Sequence, residues 1–309
     1  MKKLFRILAL IVLVLFVVFF AIRKKSIPLD ELKKKYTTTA SRFLEMDGMQ
    51  VHYRIEGEGS PVVLIHGTGA SLQTWDGWTD SLVKNNYKVI RLDMPAFGLT
   101  GPRNDNDYSS KAYVDFLHRF LHQIGVDTFA LAGNSLGGEI AWKYALAHPA
   151  DVSKLILVDP AGFYSKEKGN GAIIFKLAKI KWLANLMGKM DTKIIVNRTL
   201  EDVYEDDSKI TDAQRQLYYD MSLREGNRES FSARVQQIDK EPKLDISGIE
   251  TPTLIQWGKE DALLDISLLD NFIKIPNNKV LVYHHCGHSP QEEIPATSVV
   301  DVLSFLKKQ

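Results

Sequence analysis

Ser135 stands in "LAGNSLGG", with Gly133 and Gly137 two residues away on either side. A serine hydroxyl is a weak nucleophile and needs a base to remove its proton. His288, in "CGHSPQEE", can be that base, and Asp261, in "WGKEDALLD", can be the acid that orients it. A serine, an acid and a histidine in that chain order can transfer an acyl group. Rivals for each partner are present. His284 and His285 precede His288 by a few residues, and Asp159 and Asp265 compete with Asp261.

The residues around the serine say how it would be held. "FALAG" is a short apolar run, and "GGEIAWKYALAHP" is a helical stretch that stops before Pro149. Strand, tight turn and helix start in that order would lift the serine oxygen out at the carboxyl end of a sheet. The helix start aims backbone N–H groups at the same spot, where negative charge develops. The amide of Leu136 is one expected oxyanion donor, and the amide of Thr68, in "IHGTGAS", is the other. Removing one such donor typically costs ~3 kcal/mol of transition-state stabilisation. His66 and Gly67 are expected to support that loop, and Asp93 to satisfy loop donors after its strand.

Other apolar runs, "PVVLIHG", "YKVIRLDMP", "SKLILVDPAG", "PTLIQWGKED" and "NKVLVYHHCGH", lack alternation and suit strands buried on both faces. "FLEMDGMQVHYRIEGEG" reads as two strands around an Asp47-Gly48 turn. "YSSKAYVDFLHRFLHQIG" puts Tyr113, Phe116, Leu117, Phe120, Leu121 and Ile124 on one helical face. The alternation predicts an α/β fold: a doubly wound, mostly parallel sheet. It lapses between Phe163 and Glu241, where only helices are expected, as in a lid. The expected organisation is core over 41–162, helical cap over 163–241, and core again over 242–309.

The N-terminus departs from this pattern. Ile7 to Ile22 is uncharged and apolar, flanked by Lys2, Lys3 and Arg6 and by Arg23, Lys24 and Lys25. As a helix it would span roughly 24 Å at about 1.5 Å per residue, against a hydrocarbon core of ~30 Å. No A-x-A cleavage pattern follows it. Residues 1–22 are therefore expected to be an uncleaved transmembrane anchor and 23–40 a polar tether. A basic N-tail held in the cytoplasm would put the body outside the membrane.

Six pieces in order, "PVVLIHGTGAS", "LDMPAFGLT", "LAGNSLGG", "LILVDPAG", "LIQWGKEDALL" and "GHSPQEEIP", resemble the α/β-hydrolase superfamily over residues 48–307. The sequence looks like the capped lipase- and esterase-like branch that also includes the meta-cleavage-product hydrolases. The resemblance implies an α/β-hydrolase fold, the set Ser135, Asp261 and His288, and no cofactor. Some relatives place the acid at the position of Asp159. Ala96 departs from the glycine usual in the related loop. The serine argues against dehalogenases and epoxide hydrolases of this fold, which carry aspartate there.

The remaining signals narrow the classes. A net charge of +1 gives no electrostatic case for nucleic acid. The single cysteine, Cys286, excludes an intrachain disulfide framework and a cysteine-built zinc site. No His, Asp and Glu stand at metal-ligand spacing, no metal is expected, and His52, His118, His122 and His148 are scattered. Ile173, Ile174, Leu177, Ile180, Leu183 and Met187 could form one apolar helix face among Lys176, Lys179, Lys181 and Lys189. Such a helix would cover a pocket or lie on a membrane surface. Phe163, Tyr164, Phe175 and Trp182 point to an apolar acyl or alcohol group. The expected activity is hydrolysis of an apolar small-molecule ester. Carbon–carbon bond hydrolysis and a non-enzymatic tethered binding protein are the alternatives.

Overall fold

A computed structural model describes residues 23–163, 178–238 and 244–308. Eight strands form one sheet in the order β1-β2-β4-β3-β5-β6-β7-β8. They are β1 (Ser41–Met46), β2 (Met49–Glu56), β3 (Ser60–Ile65), β4 (Tyr87–Leu92), β5 (Phe129–Asn134), β6 (Val152–Val158), β7 (Thr253–Gly258) and β8 (Asn278–Tyr283). β1 and β2 are antiparallel, and β2 meets β4 antiparallel. Every other pairing is parallel. The β1–β2 turn is Asp47-Gly48, both with positive φ (54° and 73°), as a tight hairpin turn matching strand twist requires.

Helices cover both faces. On one lie α3 (Ser110–Gln123) and α4 (Leu136–Ala147), and on the other α2 (Asp76–Lys84) and α9 (Pro295–Lys307). The expected stripe of α3 is buried from Tyr113 to Leu121, and Ile124 caps its end part-buried. Ser109 starts that helix by accepting from the amide of Ala112. All six residues of β5 are buried, which its unalternating sequence requires.

Between β6 and β7 lie α5 (Lys181–Met187), α6 (Lys193–Val203), α7 (Asp212–Leu223) and α8 (Asn227–Val235). These helices are called the cap. The segment around Lys179, however, is not one helix. Ile180 is extended (φ −89°, ψ 105°) and starts a new helix at Lys181. Ile180 and Trp182 are exposed, so they do not cover a pocket. Tyr164, Ile173, Ile174, Phe175, Lys176 and Leu177 lie outside the described residues.

Residues 23–40 are not a free tether. They include α1 (Leu29–Tyr36), whose Leu32 is buried with Leu99 and Met221. Asp220 accepts from Lys35 at 2.6 Å and from the Tyr36 hydroxyl at 2.7 Å. Burial, then that hydrogen bond, push the Tyr36 hydroxyl up to about 12. The apolar run Ile7–Ile22 lies outside the described residues. Among the described residues no helix is long and apolar enough to cross a membrane.

Candidate active site

Ser135 has φ 54° and ψ −118°, between the end of β5 and the start of α4. The flanking glycines explain how so tight a turn closes. A Cβ on Gly133 would lie 2.1 Å from the carbonyl oxygen of Gly137, and one on Gly137 would lie 2.2 Å from that of Ile65. A Cβ on Gly138 would meet Pro160 at 2.7 Å. The strained serine is held by its own backbone: its N–H donates to Val158, and its carbonyl accepts from Glu139 and Ala161. Leu136 is the first residue of α4, so its N–H has no acceptor within the helix.

The partners converge from the next strand ends. His288 Nδ1 is 2.7 Å from Asp261 Oδ2, and both side chains are buried. Asp261 Oδ1 accepts the amides of Leu263 (2.7 Å) and Leu264 (2.9 Å). An aspartate so placed holds the Nδ1–H tautomer and leaves Nε2 with its lone pair. The carboxylate of Asp265 accepts the amide of Ser267 and caps a short turn of 3-10 helix. His284 and His285, the rivals of His288, are exposed on the surface beyond β8.

Asp159 is nearer than the sequence showed. Its ligand oxygen, that of Asp261 and a ring nitrogen of His288 lie within 4.8 Å of one another. Asp159 Oδ1 accepts the amide of Gly258 at 2.9 Å, while the buried Oδ2 has no donor among the described residues. Burial, then the charge of Asp261, hold this carboxyl well above its ordinary range. Burial and the neighbouring Asp261 charge thus both favour the protonated form of Asp159.

The candidate oxyanion loop follows β3. A Cβ on Gly67 would sit 3.1 Å from Ser135 Cβ, so this loop and the Ser135 turn pack closely against each other. His66 is fully buried. Its Nδ1 donates to the Gly67 carbonyl at 2.7 Å and its Nε2 accepts the amide of Met94 at 2.9 Å. Burial lowers its pKa, and the neutral ring ties the loop to the end of β4. Ala96 keeps a left-handed backbone, φ 83°, despite its Cβ, and its amide donates to Gly101 at 2.7 Å.

Two residues that sequence reasoning passed over fix the histidine. Asn134 Nδ2 donates to the His288 carbonyl at 3.0 Å and to that of Val158 at 3.1 Å. The amide of His288 donates to Val203, in the cap, at 2.7 Å. The one available signal was an amide side chain inside an otherwise small and apolar turn.

Above the oxyanion loop is a cavity of about 170 Å³, roofed by the cap. Thr68, Gly69 and Phe97 line its core side, and Val196, Leu200 and Phe231 its cap side. Of the aromatics expected there, Phe163 and Trp182 are elsewhere, while Tyr164 and Phe175 lie outside the described residues. Phe163 stacks on Trp142 at 5.7 Å and meets Phe272 edge-on at 5.1 Å, and Trp182 is on the surface. Arg228 reaches the cavity wall, but its terminal nitrogens donate to Met190, Lys24 and Ser26.

Two further histidine groups form only in three dimensions. His52 is not idle: its Nδ1 is 2.7 Å from Asp93 Oδ2 and its Nε2 is 3.0 Å from Ser41 Oγ. Asp93 also accepts the amides of Leu72 and Leu99, as its loop position led us to expect. His118, His148 and Asp151 have ligand atoms within 4.8 Å, a grouping the sequence did not show. Their imidazoles stack face to face at 4.0 Å, which aims the lone pairs side by side instead of at one point, and His118 Nδ1 already meets the Tyr144 hydroxyl.

A family model described as the alpha/beta hydrolase fold matches residues 60–295. The chain is 26% identical over 286 residues to 2-hydroxy-6-oxo-6-(2'-aminophenyl)hexa-2,4-dienoic acid hydrolase of Metapseudomonas resinovorans, covering 90% of this chain and 94% of that protein. It is 30% identical over 269 residues to monoacylglycerol lipase abhd6-A of Xenopus laevis, covering 81% and 76%. A crystal structure of a membrane phospholipase A described as a bacterial virulence factor superposes with a TM-score of 0.73 at 25% identity, covering 99% of this chain and 98% of that one.

Proposed function

The chain belongs to the alpha/beta hydrolase fold family, and from that premise we propose that it is a serine hydrolase cleaving carboxylic esters of apolar acids. Ser135 Oγ attacks the ester carbonyl as His288 Nε2 takes its proton. Asp261 holds the imidazole and stabilises its cation. The amides of Leu136 and Thr68 receive the oxyanion. Collapse expels the alcohol, which takes the proton back from His288. Water, deprotonated by the same ring, then attacks the acyl-enzyme, releases the acid and restores Ser135.

One observation carries the choice of ester: the cavity beside the oxyanion loop is walled mainly by apolar side chains, and its arginine is engaged with the backbone of residues 24 and 190. A dienol acid would call for a cation or amide turned toward the ligand. Carbon–carbon hydrolysis remains the second reading, favoured by the likeness to the Metapseudomonas enzyme over 90% of the chain. The same serine, histidine and aspartate would serve it.

The apolar run Ile7–Ile22 is proposed to anchor the chain in a membrane, with the catalytic body on the extracytoplasmic side. The likeness to a membrane phospholipase A over 99% of the chain supports the anchor.

The test is turnover of short- and long-chain p-nitrophenyl esters and of a meta-cleavage dienol acid, with fluorophosphonate labelling alongside. Ester turnover and labelling, both lost in Ser135→Ala, are the expected result. Turnover of the dienol acid alone would replace the ester reading with the second one. A chain that neither turns over nor labels would fit the tethered binding protein.

A further inference from the structure

The segment after the apolar run is built into the cap. Arg23 bridges to Met190, and the amide of Lys24 donates to Lys189 at 3.1 Å. The amide of Ile27 donates to Leu223 at 2.8 Å, and its carbonyl accepts from Glu225. The chain therefore enters the described fold at the cap and not at the far end of the sheet.

A cleft lies along this seam. Arg23, Lys24, Lys25, Lys189 and Arg228 line it, and among the described lining residues only Glu229 carries negative charge. Arg228 is 7% exposed, and its buried Nε has no hydrogen-bond partner among the described residues. The same arginine reaches the wall of the apolar cavity. Lysine ammonium groups gathered this way suit a phosphate, and Arg228, whose terminal nitrogens already donate to Lys24, Met190 and Ser26, adds its charge to the cleft.

Exposed apolar side chains flank the cleft in sequence. Trp182 is 69% exposed, at the start of α5, and that helix runs to the cleft residue Gly188, about 9 Å along the axis. Ile194, five residues past Lys189, is 84% exposed. Trp75, Trp78, Trp142 and Trp257 are at most 1% exposed. A lone exposed tryptophan beside lysines is the composition of a membrane interface, where its ring has an apolar body and a polar N–H.

We propose that the cleft between residues 23–26 and the cap turn at Gly188–Lys189 holds the phosphate of an anionic phospholipid, seating Trp182 and Ile194 in the bilayer surface. The proposal rests on the anchor reading above. An anchor ending at Ile22 delivers Arg23 to the head-group layer, and the seam with Met190 brings the cap with it. The mouth of the apolar cavity then opens where lipid esters are.

The test uses the full chain in vesicles of phosphatidylcholine, with or without phosphatidylglycerol, carrying brominated acyl chains. Flotation reads the anchor, and tryptophan emission reads the cap. The chain is expected to float with both lipids. Bromolipid should quench the exposed tryptophan, more strongly with phosphatidylglycerol, and Trp182→Phe should abolish that quenching. The triple variant Lys24→Gln, Lys25→Gln, Lys189→Gln should float normally but lose roughly half of the phosphatidylglycerol-dependent part, as expected for surface charges within a Debye length. A chain that fails to float overturns the anchor and this proposal together. A chain that floats with Trp182 unquenched, or indifferent to phosphatidylglycerol, overturns the proposal alone. Quenching that inorganic phosphate removes completely would assign the cleft to soluble phosphate and overturn the lipid commitment.

Discussion

The backbone N–H of His288 donates to the carbonyl of Val203 at 2.7 Å, so the histidine hangs from the cap by its main chain. The same turn is braced by Glu293, which is buried and accepts amides from both sides of the seam: Glu205 and Asp206 of the cap, and Gly287 at 2.7 Å. Glu293→Ala leaves those donors unpaired. The expected cost is about 3 kcal/mol of stability, since each orphaned buried N–H costs ~1–3 kcal/mol. Urea unfolding measures it. In the same variant kcat should fall more than KM rises, because the histidine loses its placement.

Ser135→Ala should lower ester turnover by a factor on the order of 10⁴ to 10⁶. Ser41→Ala is the informative companion, because Ser41, His52 and Asp93 reproduce the hydrogen-bond chain of a triad. Ser41 starts a β-strand, with no helix N-terminus behind it, and its Oγ already accepts the amide of Thr38 at 3.1 Å. Ser41→Ala should keep turnover within about twofold, as for surface changes away from a site. Mass spectrometry of the labelled protein should find the phosphonate on Ser135 alone.

Asp159 and Asp261 should part company on amidation. Asp261→Asn spoils the tautomer of His288 and should cost ~10⁴-fold in kcat. Asp159→Asn replaces a carboxyl whose uncharged form burial favours, and should leave kcat within about threefold.

The raised pKa of Asp159 has a defined sign in stability. Between the unfolded value, ~3.9, and the raised folded value, the native state binds more protons than the unfolded state. Its contribution is complete below the unfolded pKa and is lost as pH rises through that window. Asp159→Asn should flatten this decline in urea melts taken from acid to neutral pH. A variant that declines as steeply as the parent would mean that Asp159 is ionised in the fold.

Ala96 is buried with φ 83°, a conformation that costs an L-residue about 1–2 kcal/mol. Glycine removes that strain and adds some unfolded-state entropy. Ala96→Gly should therefore stabilise by about 0.5–1 kcal/mol, raising Tm by roughly 1–4 °C. Calorimetry decides it.

Val196 lines the cap side of the apolar cavity. Val196→Trp should fill much of its 170 Å³ and shift preference toward short acyl chains, with little change for the shortest ester. The ratio of long- to short-chain kcat/KM reads this directly.

What the sequence alone determined is local. Gly133, Gly137 and Gly138 are each confronted by a backbone or proline atom closer than any Cβ tolerates, so their spacing encodes the nucleophile turn within six residues. Asp47-Gly48 encodes its hairpin in two. The unalternating apolar runs encode strands because both faces of each are covered. The tertiary structure decided everything that depends on which strand ends lie side by side. Asp261 stands against His288 across 27 residues, and Asn134 across 154. Asp159 and Asp265 both rival Asp261 in sequence, and separate only because one ends the neighbouring strand, facing a carboxylate, while the other caps a turn. Residues 23–40, polar and lysine-rich, looked like a tether because nothing local reveals that Leu32 has Leu99 and Met221 to bury against. A backbone conformation is set by its own side chains and immediate neighbours, whereas a buried polar group's partner is set by sheet order and by the cap laid over it.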